Sequence, residues 1–107
     1  MKLPKVVDDL VQAQNNFDNV AYADCFSETG EMLDEGKLYK GRAAIQHLIA
    51  ETNEKYRSVM KPLDYTENGS SGVLSAEVSG TFPGSAAVLK FHFDIIEGKI
   101  QFLKVTG

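Results

Sequence analysis

Cysteine is almost absent from this 107-residue chain, and Cys25 stands alone. An internal disulfide and a cysteine-based metal cluster are therefore excluded, and a reducing compartment suits the chain best. Histidine is nearly as scarce, and no His/Asp/Glu grouping has the spacing of a metal site, so neither metal nor cofactor is expected. Basic clusters are missing too: eleven Lys and Arg are scattered among fifteen acidic residues, for a net charge of −4. Phosphate backbones need clustered cations, so nucleic acid is not an expected partner. No stretch approaches the ~20 apolar residues of a membrane helix. The start, Met1 to Asp9, is charged where a secretion signal would be apolar, which predicts a cytoplasmic location. The glycines form no phosphate-cradling loop, and Asn68-Gly69-Ser70 reads as a hairpin turn rather than a glycosylation site.

What is present is ordinary globular material, 43% apolar and 24% charged, in an amount that suits one domain spanning 1–107. Val7, Leu10, Val11 and Phe17 fall on one face of an amphipathic helix that Pro4 opens and Gln14-Asn15-Asn16 ends. Asp18 is an N-cap for a second helix carrying Ala21, Tyr22, Cys25 and Phe26, which Ser27-Glu28-Thr29-Gly30 breaks. A short hairpin follows, 31–34 and 37–40, turning at Glu35-Gly36. From Arg42 to Tyr56 a third helix puts Ile45, Leu48, Ile49, Thr52 and Tyr56 on one stripe, with His47 pointing away. After Pro62 the period changes to two: Leu74, Ala76, Val78 and Phe82, then Leu89, Phe91, Phe93 and Ile95, alternate with polar residues. Turn chemistry at 68–72, 83–85 and 97–98 separates four strands, roughly 59–67, 73–82, 86–96 and 99–106.

The order ααββαββββ predicts an α+β fold in which three helices cover one face of a curved antiparallel sheet. Such a cone encloses a cavity of the kind that takes a small ligand.

Tyr22 to Gly30, then Tyr39-Lys40-Gly41-Arg42-Ala43-Ala44-Ile45, resembles the helix–hairpin–helix part of SnoaL-like proteins. These belong to the nuclear-transport-factor-2-like superfamily, with polyketide cyclases and ketosteroid isomerase. Ser79 to Ser85 and Glu97-Gly98-Lys99-Ile100 resemble strand–turn signatures of the same group, so the resemblance spans about residues 5–106. It implies the cone-shaped fold and, carried over residue by residue, one functional position out of four. The isomerase's general base falls on Asp34. Of its two oxyanion-hole donors one falls near Leu10 and the other on Phe91, and a last-strand aspartate of cyclase-like members falls on Lys104. A base without donors does not stabilise an enolate, which weighs against isomerase and cyclase chemistry.

Asp34 is nevertheless the leading candidate for a catalytic residue. It shares a strand face with apolar Met32, and a carboxylate facing inward has a raised pKa and accepts protons better near neutrality. Alternatively, Asp34 simply starts the turn. Tyr22, Tyr56, Met32, Phe91 and Phe93 are the candidate ligand-binding residues, although buried tyrosines often only satisfy a core partner. Cys25 reads as a small core residue, and His92 lies on the outer sheet face.

Three functional readings follow. The first is a binder of a small apolar organic molecule; the second is an isomerase-, cyclase- or hydratase-type enzyme with Asp34 as base. The third is a dimeric interaction module whose cavity is filled by Phe91, Phe93 and Leu10. Phe102 sits on the face opposite Leu103, so the last strand is apolar on both sides, which predicts a two-fold homodimer through the sheet.

Overall fold

Pro4 ends its extended approach by accepting the N–H groups of Val7 and Asp8, both at 3.0 Å, and so starts α1 (Lys5–Asn15). This computed structural model describes all 107 residues. Val6, Val7, Leu10 and Val11 bury the apolar side of α1. Phe17, expected on that stripe, lies beyond the helix with φ 55°, its ring under the Arg57 guanidinium at 4.3 Å.

Asp18 caps α2 (Asn19–Asp24) by accepting the Ala21 N–H at 3.0 Å. The second helix is shorter than its apolar pattern predicts. Phe26 to Gly30 form the first half of β1 (Phe26–Asp34), because the Ile100 N–H donates to the Cys25 carbonyl at 2.9 Å and starts a strand pairing there. Gly30 is not a helix breaker but a point of close backbone approach. A Cβ on it would lie 2.9 Å from the Ile100 carbonyl oxygen.

β1 turns through Glu35 (φ 51°) and Gly36 (φ 75°) into β2 (Lys37–Lys40), the two positive φ angles of a tight hairpin. α3 (Arg42–Tyr56) then carries the chain to the opposite sheet edge. There β3 (Val59–Asn68), β4 (Ser71–Ser79), β5 (Ala87–Ile96) and β6 (Lys99–Thr106) run as an antiparallel meander.

The sheet has six strands in the order β2-β1-β6-β5-β4-β3, and here the expectation of an antiparallel sheet needs correction. β1 and β6 pair in parallel, so the sheet is mixed. The meander reverses three times after α3, which brings β6 back beside β1 running in the same direction. The registers of both β1 pairings place Met32 with Tyr39 and Leu103, and Asp34 with Lys37 and Val105.

The expected strand 73–82 is also cut short. β4 ends at Ser79, because Thr81 donates its N–H to the Tyr56 carbonyl at 2.9 Å and draws the chain off the ladder toward the end of α3. Phe82 therefore sits in a loop rather than in a strand.

The polar triplet Gln14-Asn15-Asn16 does more than stop α1. Gln14 Nε2 donates to Asn53 Oδ1 and to the Ser58 carbonyl, each at 2.8 Å. Asn15 accepts the Met60 N–H at 2.7 Å and donates to its carbonyl at 3.0 Å. The end of α1 is thereby clipped to α3 and β3.

Candidate functional site

On the inner face of the sheet, side chains line up in rows across the strands. One row runs Met32, Leu103 and Phe93, and the next runs Asp34, Val105, Phe91 and Leu74. Beyond Phe91 the inner residues of β5 are Leu89 and Ala87, both only partly buried. Over these last rows a cavity of about 480 Å³ opens. α3 roofs it with Leu48, Ile49, Thr52 and Tyr56, and the loop after β4 adds Phe82 and Pro83.

The third helix therefore divides its stripe. Ile45, Ile49 and Asn53 are buried, whereas Leu48, Thr52 and Tyr56 are half-buried and face the cavity. Tyr56 meets Phe82 edge to face, with ring centroids 6.0 Å apart. Tyr22 enters from α2 and packs beside Phe26, with centroids 6.1 Å apart.

Five aromatic rings line the cavity: Tyr22, Tyr39, Tyr56, Phe82 and Phe91. Its charged residues are Asp34, Glu35 and Lys37, all at the β1–β2 turn. Asp34 is both the last residue before that turn and a cavity residue, so the two sequence readings of it describe one position. Burial raises its pKa, with the neighbouring Glu35 charge adding to the effect and the Glu35 backbone N–H opposing it. No ion pair neutralises it, since the ion pairs of the protein are Lys5–Asp9 and His47–Glu51.

Tyr22 is only 2% exposed, and its hydroxyl has no hydrogen-bond partner in the protein. Asn53 Nδ2 is the one sealed side-chain polar atom without a partner, so the small exposed area of the Tyr22 hydroxyl opens into the cavity. Burial pushes the Tyr22 hydroxyl pKa up, and the Asp34 charge adds to it.

Of the residues singled out from the sequence, Asp34, Tyr22, Tyr56, Met32 and Phe91 come together around this space. Phe93 does not. It stands two residues along β5 from Phe91, about 7 Å away, and is sealed in the core. Leu10 is likewise core, and Lys104 lies on the outer face opposite His92. Cys25 is buried, its thiol donating to the Ala21 carbonyl at 3.4 Å and its pKa pushed up to about 11, chiefly by burial. His47 is exposed, and His92 shares a hydrogen bond of 2.9 Å with Thr106 on the outer face.

Tyr39 and Phe82 matter more than the sequence reading allowed. For Tyr39 a signal exists: counting back from a two-residue turn at Glu35-Gly36 pairs it with Met32, so the two share a face. For Phe82, held by a loop contact, the period offers none.

No protein-family model matches the chain, and no curated protein does. Solved structures do match. A candidate polyketide cyclase from Sinorhizobium meliloti is 31% identical, with a TM-score of 0.93 over 97% of this chain and 95% of that one. A protein with a ketosteroid isomerase-like fold from Catenulispora acidiphila, solved with trimethylamine, is 17% identical at a TM-score of 0.92, covering 99% and 87%. A candidate polyketide cyclase from Xanthomonas campestris is 23% identical at 0.81, covering 94% and 86%. Helices on a six-stranded mixed sheet make this a nuclear-transport-factor-2-like fold. With 31% identity over nearly the full length of both chains, the protein belongs to the SnoaL-like group of that superfamily.

Proposed function

We propose that this protein binds a small, mainly apolar organic molecule in the cavity above β5, with Asp34 and Tyr22 at its polar end. The observation that carries this reading is the pairing of an unneutralised carboxylate with a tyrosine hydroxyl that no protein group partners, in a space walled by aromatic and aliphatic groups. Protein interiors rarely leave polar groups unmet, whereas ligand sites do so routinely. The space beside Phe91 also favours a ligand over a cavity filled by its own side chains, since Leu10 and Phe93 are both spent in the core.

Binding is tested by an amide NMR titration with water-soluble organic fragments. Fragments should shift the signals of Met32, Asp34, Tyr56 and Phe91. A screen in which none of these four responds would end the reading.

The raised pKa of Asp34 favours a second reading, an enzyme of the isomerase, cyclase or hydratase kind. In it Asp34 takes a proton from carbon or water, and Tyr22 donates a hydrogen bond to the oxygen where charge develops. The candidate polyketide cyclase at 31% identity supports this reading at the level of the family.

Assembly is part of the proposal. The outer sheet face carries Phe102, half-buried within the single chain, with Leu33, Leu38 and Val88 among charged neighbours. Pairing of two such faces gives a two-fold homodimer. Phe102→Glu is then expected to halve the mass seen by light scattering, and a wild-type protein that is monomeric at high concentration would sink the idea.

A further inference from the structure

We infer that the cavity is built for a compact organic cation, an amine or ammonium group clothed in apolar substituents. This inference rests on the binding reading above and adds the charge of the ligand. Aromatic faces attract cations through the ring quadrupole, and the attraction grows as water is excluded. Half of the chain's ten aromatic residues line this one cavity. Their affinity for ammonium is already visible within the chain, where the Lys37 ammonium lies 5.8 Å from the Tyr39 ring centroid and that of Lys55 lies 5.2 Å from Tyr56.

A neutral apolar ligand would use these rings but would leave Asp34 as it is, desolvated and without a counter-charge. A cation answers both features together. The groups that face Asp34 are consistent with it. Glu35 adds a second negative charge from the same turn. Lys37 is held over Tyr39 and makes no ion pair with either carboxylate. Tyr22 from α2, Tyr39 from β2 and Tyr56 from α3 bring hydroxyls, while β5 and β6 bring only the apolar Ala87, Leu89, Phe91 and Val105. The lining charges are therefore two acids against one base, with the half-buried acid, Asp34, unpaired.

The test compares choline with 3,3-dimethylbutan-1-ol, which has the same shape with a tert-butyl group in place of trimethylammonium. Amide NMR titrations give both dissociation constants. Choline is expected to bind about ten-fold more tightly at neutral pH. Its advantage should shrink as pH falls through the titration of Asp34, because a protonated acid no longer attracts it. Asp34→Asn should bring the two probes close to parity, and Tyr56→Leu should remove part of the difference. The pH series on the unaltered protein carries the same test without any variant. Equal or tighter binding of the alcohol would overturn the cation while leaving a neutral-ligand site in place. Cavity amides that respond to neither probe would overturn the cation as well, and the fragment titration then decides separately whether the cavity binds anything.

Discussion

Phe91 and Phe93 stand on the same face of β5, two residues apart, yet they border different interiors. Phe93 belongs to a closed end where Leu10, Phe26, Ile100 and Leu103 have no exposure at all. Phe91 belongs to an open end, where the sheet continues into Leu89 and Ala87 but the helices above it stand off. Strand geometry treats the two phenylalanines alike. The difference comes from what lies overhead: α1 buries Val6, Val7, Leu10 and Val11 in the core, and α3 meets the open end with Leu48, Thr52 and Tyr56 beside the loop after β4. One sheet thus closes a core at one end and floors an open cavity at the other.

The largest expected effect breaks this contrast directly. Phe93→Ala should cost about 3–5 kcal/mol, the usual loss for a truncated core aromatic, whereas Phe91→Ala should cost roughly half that because its ring already borders open space. Denaturant midpoints measure both, and equal losses would show that the two ends do not differ.

Next in size is Gly30→Ala at the closed end. The added methyl meets the Ile100 carbonyl oxygen at 2.9 Å, the Phe26 Cβ at 3.0 Å and the Ser27 carbonyl oxygen at 3.1 Å. An overpacked site of this kind loses about 1–3 kcal/mol. A variant as stable as wild type would mean that β1 and β6 can part slightly at no cost.

The smallest effect lies at the open end and has the opposite sign. Burial raises the pKa of Asp34 in the folded state, so the folded protein holds that proton to higher pH than the unfolded chain does. Stability contributed by the neutral acid is therefore lost as pH rises through that window. Asp34→Asn should remove the loss and stabilise the protein at pH 7 by up to about 1 kcal/mol, solvent access keeping the gain small. Well below the reference pKa of about 3.9 the acid is protonated in both states and the two proteins should melt alike. Melting temperature against pH checks this, and an Asn variant that is less stable at pH 7 would mark the carboxylate as a turn acceptor.

Much of the open end was legible from local pattern. The alternation at Leu89 and Phe91 gives their face, Glu35-Gly36 gives the hairpin, and Met32 gives the direction of Asp34. The closed end hid more. Ala21 to Phe26 continue a helical period without interruption, and only the remote pairing with Ile100 converts Phe26 into a strand residue. The parallel contact of β1 with β6 has no local signature, because the two strands are separated by most of the chain. Gln14 and Asn15 look like any polar helix end until Asn53, Ser58 and Met60 arrive beside them. Asn53 itself lies on the buried stripe of α3 as a polar residue, and a periodicity of apolar residues passes over it.

The contact between Asn15 and Met60 has a consequence for how copies of this protein treat one another. β3 is a sheet edge, and an edge strand presents unpaired N–H and carbonyl groups on which a foreign strand can nucleate. Met60 offers both of its groups to the Asn15 amide, which occupies them as a neighbouring peptide unit would. Two residues on, Pro62 has no N–H to offer, and the register shift between Pro62 and Asp64 interrupts the repeat. A helix-end asparagine, a proline and an irregularity together leave the first half of this edge no continuous template for intermolecular sheet growth.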